Sequence, residues 1–213
     1  MPKVNVGVFM DWQNVYRAAR DAFELRQAPP ERGNFNPLEV ARYLAAGNKR
    51  GSNGRLKRVE IHRGLPDSNT NPKGHGAAQR QKGVWESLSP ELITVRLRPV
   101  RLNPETGEEE EKGIDVALAC SAVEHVLLKK CDVAIIFSHD SDLLPPVETI
   151  CRLHDAGLTP GTVETASWQS DLYYKRIPPA KTDWGTPWDV VNQTLKVELF
   201  DRVEMPVNYA DGD

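Results

Sequence analysis

Val133-Ala-Ile-Ile-Phe137-Ser138-His139-Asp140-Ser141-Asp142-Leu-Leu-Pro145 joins five consecutive apolar residues to a short polar loop. An uninterrupted apolar run of this length reads as a strand covered on both faces, the kind a parallel sheet buries between helices. Helical patterns flank it. Ile114 to Lys129 carries Val116, Ala117, Ala119, Cys120, Val123, Val126 and Leu127, and Leu143 to Ala156 ends at Gly157, a residue type suited to a helix stop.

The alternation continues outward. Val4 to Met10 is a β-rich run followed by a helical pattern over Asn14 to Arg26, which Pro29-Pro30 closes. Asn36-Pro37 reads as an N-cap with Pro at the first helical position, opening a helix that ends near Gly47. Leu56 to His62, Leu92 to Leu97 and Leu158 to Val163 read as strands, and Ala77 to Leu88 as a helix. Strands separated by helical crossovers predict a three-layer α/β/α sandwich with a mainly parallel central sheet. Pro66 to Gly76, rich in Asn, Gly, Pro and Ser, reads as a mobile loop. Asn103 to Glu111 reads as a Pro/Gly turn ending in solvated Glu residues. Trp168 to Lys175 reads as a short helix, and Val190 to Phe200 as another helix-like stretch. The division expected is one domain over residues 1–177 and a C-terminal extension over 178–213, packed on it or partly flexible.

The chain has 213 residues, 39% hydrophobic and 27% charged, a size and composition suited to one ordinary α/β domain. It has no run of about 18 apolar residues, so no membrane span is expected. The start, Met1 to Met10, lacks the apolar core and cleavage site of a signal peptide. Three widely spaced cysteines, Cys120, Cys131 and Cys151, suggest neither a disulfide framework nor a zinc site. A reducing cytoplasm is the expected compartment. The net charge of −3 conceals an asymmetry: Lys49 to Arg101 holds twelve Lys and Arg against four Asp and Glu, whereas Leu102 to Asp213 holds nine against twenty-one.

In a parallel sheet, ligands bind beyond the carboxyl ends of the strands. Asp11 lies just past the first strand, Asp140 and Asp142 just past the most buried one, and Asp115 at the start of the long apolar helix. Gathered at one edge, such carboxylates repel, and a cation relieves that repulsion. An all-oxygen donor set favours Mg²⁺ or Mn²⁺. Simpler readings stand beside this one: an Asp at a strand end commonly caps the following helix, as Asp142 before Leu143 would, Asp115 fits first-turn dipole compensation, and at Asp11 the helix starts nearer Asn14, itself a good cap.

These segments resemble the NYN-domain family, a branch of the PIN-like nuclease superfamily that includes LabA-type bacterial proteins. The family's Asp-x-x-Asn is matched by Asp11 and Asn14. Its Lys-Gly-hydrophobic-Asp-Val-x-Leu is matched by Lys112 to Leu118, and its Ser-Gly-Asp-Ser-Asp-Phe-x-Pro by Ser138 to Pro145. The resemblance spans about Val4 to Val163. It implies a PIN-like fold and divalent-metal-dependent, endonucleolytic hydrolysis of RNA. Asp11, Asn14, Asp115 and Asp140 would form the catalytic set, with Asp11, Asp115, Asp140 and Asp142 holding the metal and Ser138 and Ser121 behind them. Two positions depart from the family pattern: Ser121 stands where another Asp is common, and His139 where Gly is usual.

The basic middle then has a candidate purpose, binding phosphate. Arg17, Arg63, Arg80, Lys112 and His139 are the expected substrate contacts, with RNA as partner and a targeting protein as a further candidate. His62 and His75 lack ligand spacing and read as surface residues. Two alternatives remain open: an RNA-binding or regulatory protein weakened catalytically by Ser121, and a nuclease acting on single-stranded DNA.

Overall fold

A computed structural model describes residues 3–48, 54–102, 109–110 and 113–210. Strand β1 (Val4–Asp11) runs directly into helix α1 (Trp12–Ala22), and a 3₁₀ turn (Pro30–Gly33) leads to α2 (Pro37–Gly47). Then come β2 (Gly54–Leu65), α3 (Pro72–Leu88), β3 (Ile93–Pro99), β4 (Arg101–Leu102) and β5 (Glu109–Glu110). The second half holds α4 (Ile114–Leu127), β6 (Val133–Phe137), a 3₁₀ turn (Ser141–Leu143), α5 (Leu144–Asp155), β7 (Thr162–Trp168), β8 (Asn192–Leu195) and α6 (Val197–Val203).

Six strands form one sheet in the order β3-β2-β1-β6-β7-β8, with every neighbouring pair parallel. The chain moves outward from β1 through β2 to β3, then returns to β1's other side as β6. The β1/β6 boundary is therefore the switch point at which such sheets bind ligands.

Alternation along the strands assigns the two faces. Val6, Val8 and Met10 of β1 join α1, α2, α6 and Trp85 of α3 in one core, whereas Phe9 joins α4 and α5 in the other. All five residues of β6 are buried, as its unbroken apolar run requires.

Local signals explain several boundaries. The Asn36 side chain accepts from the backbone N–H groups of Leu38 and Glu39, with Pro37 starting α2. Gly113 sits at φ +78, where a side chain would be strained, and turns the chain into α4. The expected loop over Pro66 to Gly76 is instead shortened by helix: Asn71 caps α3 through the Gly74 N–H, and Pro72 occupies the first turn. The strand expected over Leu158 to Val163 begins at Thr162 and runs to Trp168, because these residues pair with β6 on one side and β8 on the other. No helix forms over 168–175; Ser170 and Tyr173 make an isolated antiparallel bridge. The Asn103 to Glu111 turn lies mostly outside the described residues, and its flanks pair antiparallel as β4 and β5.

The C-terminal segment is integral to the sheet. β8 pairs with β7, and Phe200 of α6 meets Trp168 at 5.7 Å and Phe23 at 4.9 Å between ring centroids. Trp168 is fully buried, whereas Trp184 is 94% exposed and makes no such packing contribution. Among the described residues the three cysteines are free, and no helix is long and apolar enough to cross a membrane.

Truncating Phe200 to Ala should cost about 3 kcal/mol, the usual penalty for emptying an aromatic core position. A urea melt checks this, and an unchanged midpoint would show that the segment is a dispensable appendage.

Candidate active site

The β1 pleat turns Gly7, Phe9 and Asp11 towards α4, and the β6 pleat does the same for Ala134, Ile136 and Ser138. Asp11 therefore emerges at the end of β1 on the side where α4 begins. It is 4% exposed and caps α1, accepting from the Asn14 N–H at 3.4 Å. Its other carboxylate oxygen accepts from Ser138 Oγ at 3.3 Å.

Asn14 has a different job from the capping expected of it. Its Oδ1 accepts from the backbone N–H of His139 at 2.7 Å, tying the start of α1 to the loop after β6. Asp140 caps the 3₁₀ turn by accepting from the Asp142 N–H at 2.9 Å, and its own N–H donates to Ser138 Oγ at 3.1 Å. The cap is thus Asp140, where the sequence favours Asp142, because the chain makes one 3₁₀ turn before α5 starts.

Asp11, Asn14, Arg17, Asp115, His139 and Asp140 line one cavity of about 590 Å³, whose walls also include Gln13, Asp21, Tyr173 and Lys175. Burial raises the Asp115 carboxyl above its ordinary value, and the charges of Asp140 and Asp142 raise it further. Asp115 thus shares one electrostatic environment with Asp140 and Asp142, which lie 25 and 27 residues further along the sequence. Asp142 is exposed and lies outside the cavity wall, so it contributes field more than surface. Burial pushes the His139 imidazole down to about 4, keeping the ring neutral. Its Nε2 lies 3.2 Å from the Trp168 carbonyl and its Nδ1 3.3 Å from Asn14 Oδ1, and the neutral ring donates to one of these two acceptors.

Among the described residues no three His, Cys, Asp or Glu side chains are already drawn together as a ligand cluster. The donor chemistry nevertheless fits a hard divalent cation. Mg²⁺ commonly keeps several waters and takes only one or two carboxylates from the protein, and a cation would offset the repulsion felt by Asp115.

Three expected contributors lie elsewhere. Ser121, expected behind the metal-binding acids, donates its hydroxyl to Glu60, because α4 carries it inward, away from the sheet edge. Arg80, expected on phosphate, instead donates to the Tyr209 and Ala210 carbonyls at 2.8 and 3.2 Å. Arg63 lines a neighbouring cavity. Lys112 lies outside the described residues.

Sequence reading missed Lys175 and Tyr173, whose segment carries no motif, and the fully buried Glu60. Val59-Glu60-Ile61-His62 alternates, and the two polar residues face α4 at the level of Phe9 and Asp11, their partners on β1. His62, read as a surface residue, is only 2% exposed. Burial would raise the Glu60 carboxyl, but hydrogen bonds from His62, Ser121 and Arg58, together with the Arg58 charge, hold it well below the ordinary range. The Arg58 guanidinium approaches to 2.6 Å.

A family model described as the NYN domain matches residues 5–154. A protein of unknown function from Vibrio parahaemolyticus RIMD 2210633, known from its crystal structure, superposes with a TM-score of 0.51 at 17% identity. The match covers 92% of this chain and 95% of that one, and at this identity it speaks for the fold alone. No curated protein matches the sequence significantly.

Replacing Glu60 with Gln should cost about 2 kcal/mol through weakened charge-assisted hydrogen bonds. A carboxyl held low in the folded state stabilises above its unfolded value of about 4.3 and loses that contribution as pH falls towards the folded value. The gap between wild type and Glu60→Gln in denaturant melts should therefore be full at pH 7 and shrink below about pH 4. A gap independent of pH would contradict the charged role.

With its matched segment covering β1 to α5 and the acids standing at that segment's strand and helix ends, the chain belongs to the NYN domain family of PIN-like nucleases.

Proposed function

We propose that the protein is a divalent-metal-dependent ribonuclease, cutting RNA internally at the cavity beyond β1 and β6. The observation that carries this reading is the meeting of Asp11 from the end of β1, Asp115 from the first turn of α4 and Asp140 from the loop after β6 in one cavity that also holds Arg17 and Lys175. Asp11, Asp115 and Asp140 would hold Mg²⁺ or Mn²⁺, with Asp142 adding negative field. The chemistry such an ion supplies when bound is activation of water and neutralisation of charge on a phosphodiester.

The protein's own side chains prepare that chemistry. Arg17 and Lys175 attract the nucleic-acid backbone to a rim that would otherwise repel it. Asn14 fixes the spacing between the β1 and β6 loops through the His139 N–H. Ser138 donates to Asp11 and accepts from the Asp140 N–H, so one hydroxyl sets the positions of two acids.

A second reading, an RNA-binding protein with weakened catalysis, is favoured by one observation: Ser121 is committed to Glu60 and adds no acid to the cavity. Incubating labelled RNA and single-stranded DNA with purified protein in Mn²⁺, Mg²⁺ or EDTA separates the readings. The ribonuclease predicts metal-dependent RNA cleavage that falls about 10²–10³-fold in Asp11→Asn and Asp140→Asn, in the range of losing a preorganised electrostatic group. Tight RNA binding without metal-dependent cleavage would favour the second reading, and preferential DNA cleavage would reassign the substrate.

The cation itself has an independent readout. Mn²⁺ at a hundred times its dissociation constant should stabilise the wild type by about 2.7 kcal/mol, and this increment should vanish in Asp115→Asn. Equal stabilisation of both proteins would place the ion elsewhere.

A further inference from the structure

We infer that a second cavity, adjoining the acidic one, receives a single unstacked nucleobase of the bound strand, and that the C-terminal segment forms one of its walls. The inference deepens the nucleic-acid reading above and rests on it.

The cavity is about 280 Å³ and shares Gln13 and Arg17 with the acidic cavity. A strand whose phosphate lies against Arg17 therefore has a neighbouring base within reach of this opening. The volume falls just below that of drug-sized ligand sites, which suits a single flat heterocycle better than a larger ligand.

Its lining combines aromatic surface with buried amides. Trp12 and Tyr16 are stacked, with centroids 6.5 Å apart and planes at 26°. Gln81 is 2% exposed, and its Nε2 donates to Asn34 Oδ1 at 3.4 Å. Its Oε1 has no hydrogen-bond partner among the described residues, and the same holds for Gln13 Oε1. Two buried amide oxygens left in this way cost free energy that a ligand's donors recover. An amide presents a donor and an acceptor together, the pattern by which Gln pairs with a base edge, while aromatic rings hold bases by their faces.

The far wall comes from Val207, Asn208, Tyr209 and Ala210. Arg80 straps this segment down through the carbonyls of Tyr209 and Ala210, and Asn34 Nδ2 donates to the Val207 carbonyl at 3.0 Å. Arg80 thus acts on the substrate side after all, as a positioning residue that shapes the cavity. This also gives the tail a role beyond completing the sheet.

The test uses full-length protein and measures binding separately from cleavage. Fluorescence anisotropy on the Asp140→Asn variant compares a labelled hexanucleotide RNA with versions carrying one abasic nucleotide at each position in turn. One abasic position should weaken binding about tenfold, the scale of a lost stacked base. Gln81→Leu, which replaces the amide and its unpaired Oε1 with an apolar group of similar size, should weaken the intact RNA comparably and erase the abasic penalty. Val207→Trp, narrowing the cavity from the tail side, should do the same if Gln81→Leu fails to fold.

Equal binding of every abasic version, or an abasic penalty unchanged in both variants, would overturn the base cavity. Base-dependent binding alongside wild-type protein that never cleaves would leave the cavity standing and overturn the nuclease reading alone. Absence of any RNA binding would overturn both.

Discussion

β1 and β6 lie side by side and run parallel, so both strands leave the sheet at the same edge. Everything at the candidate site depends on that pairing. It sets Asp11 beside the Ser138–Asp140 loop, and the return of the chain through α4 brings Asp115 to the same edge. Burying acids of like charge together is unfavourable without compensation. The raised Asp115 carboxyl is the local sign of that strain. Ser138 and Asn14 resist the tendency to spread by bonding across the two loops.

The parts of this arrangement legible from sequence were those governed by local rules. The apolar run of β6, the Asn36-Pro37 helix start and the helix after Gly113 follow from periodicity and capping, and the structure shows all three. Asp11, Asp115 and Asp140 were also legible, because strand ends and helix starts have assigned places in a parallel sheet. What escaped was decided by distant partners. Thr162 to Trp168 is a strand only because β6 and β8 offer backbone groups on both sides. Ser121 lies six residues after Asp115, but α4 lowers it past the sheet edge onto Glu60, a residue 61 positions away in sequence. Arg80 reads as one more basic residue until the C-terminal carbonyls arrive beside it.

Polar groups thus fall into two neighbouring regions with opposite solutions. Beneath the edge, the Glu60 carboxylate is fully buried and surrounded by donors from Arg58, His62 and Ser121, so its negative charge is satisfied within the protein. At the edge, burial and the charges of Asp140 and Asp142 raise the Asp115 carboxyl, which faces an open cavity. The first arrangement holds strands and helix together, and the second leaves electrostatic potential for something that arrives from solution.

That contrast makes the location of a bound cation the central question. Anomalous scattering from crystals soaked in Mn²⁺ answers it most directly. The account predicts a strong peak bounded by the carboxylates of Asp11, Asp115 and Asp140, and none beside Glu60. A peak at Glu60, or crystals that take up no Mn²⁺ at the β1/β6 edge, would contradict it.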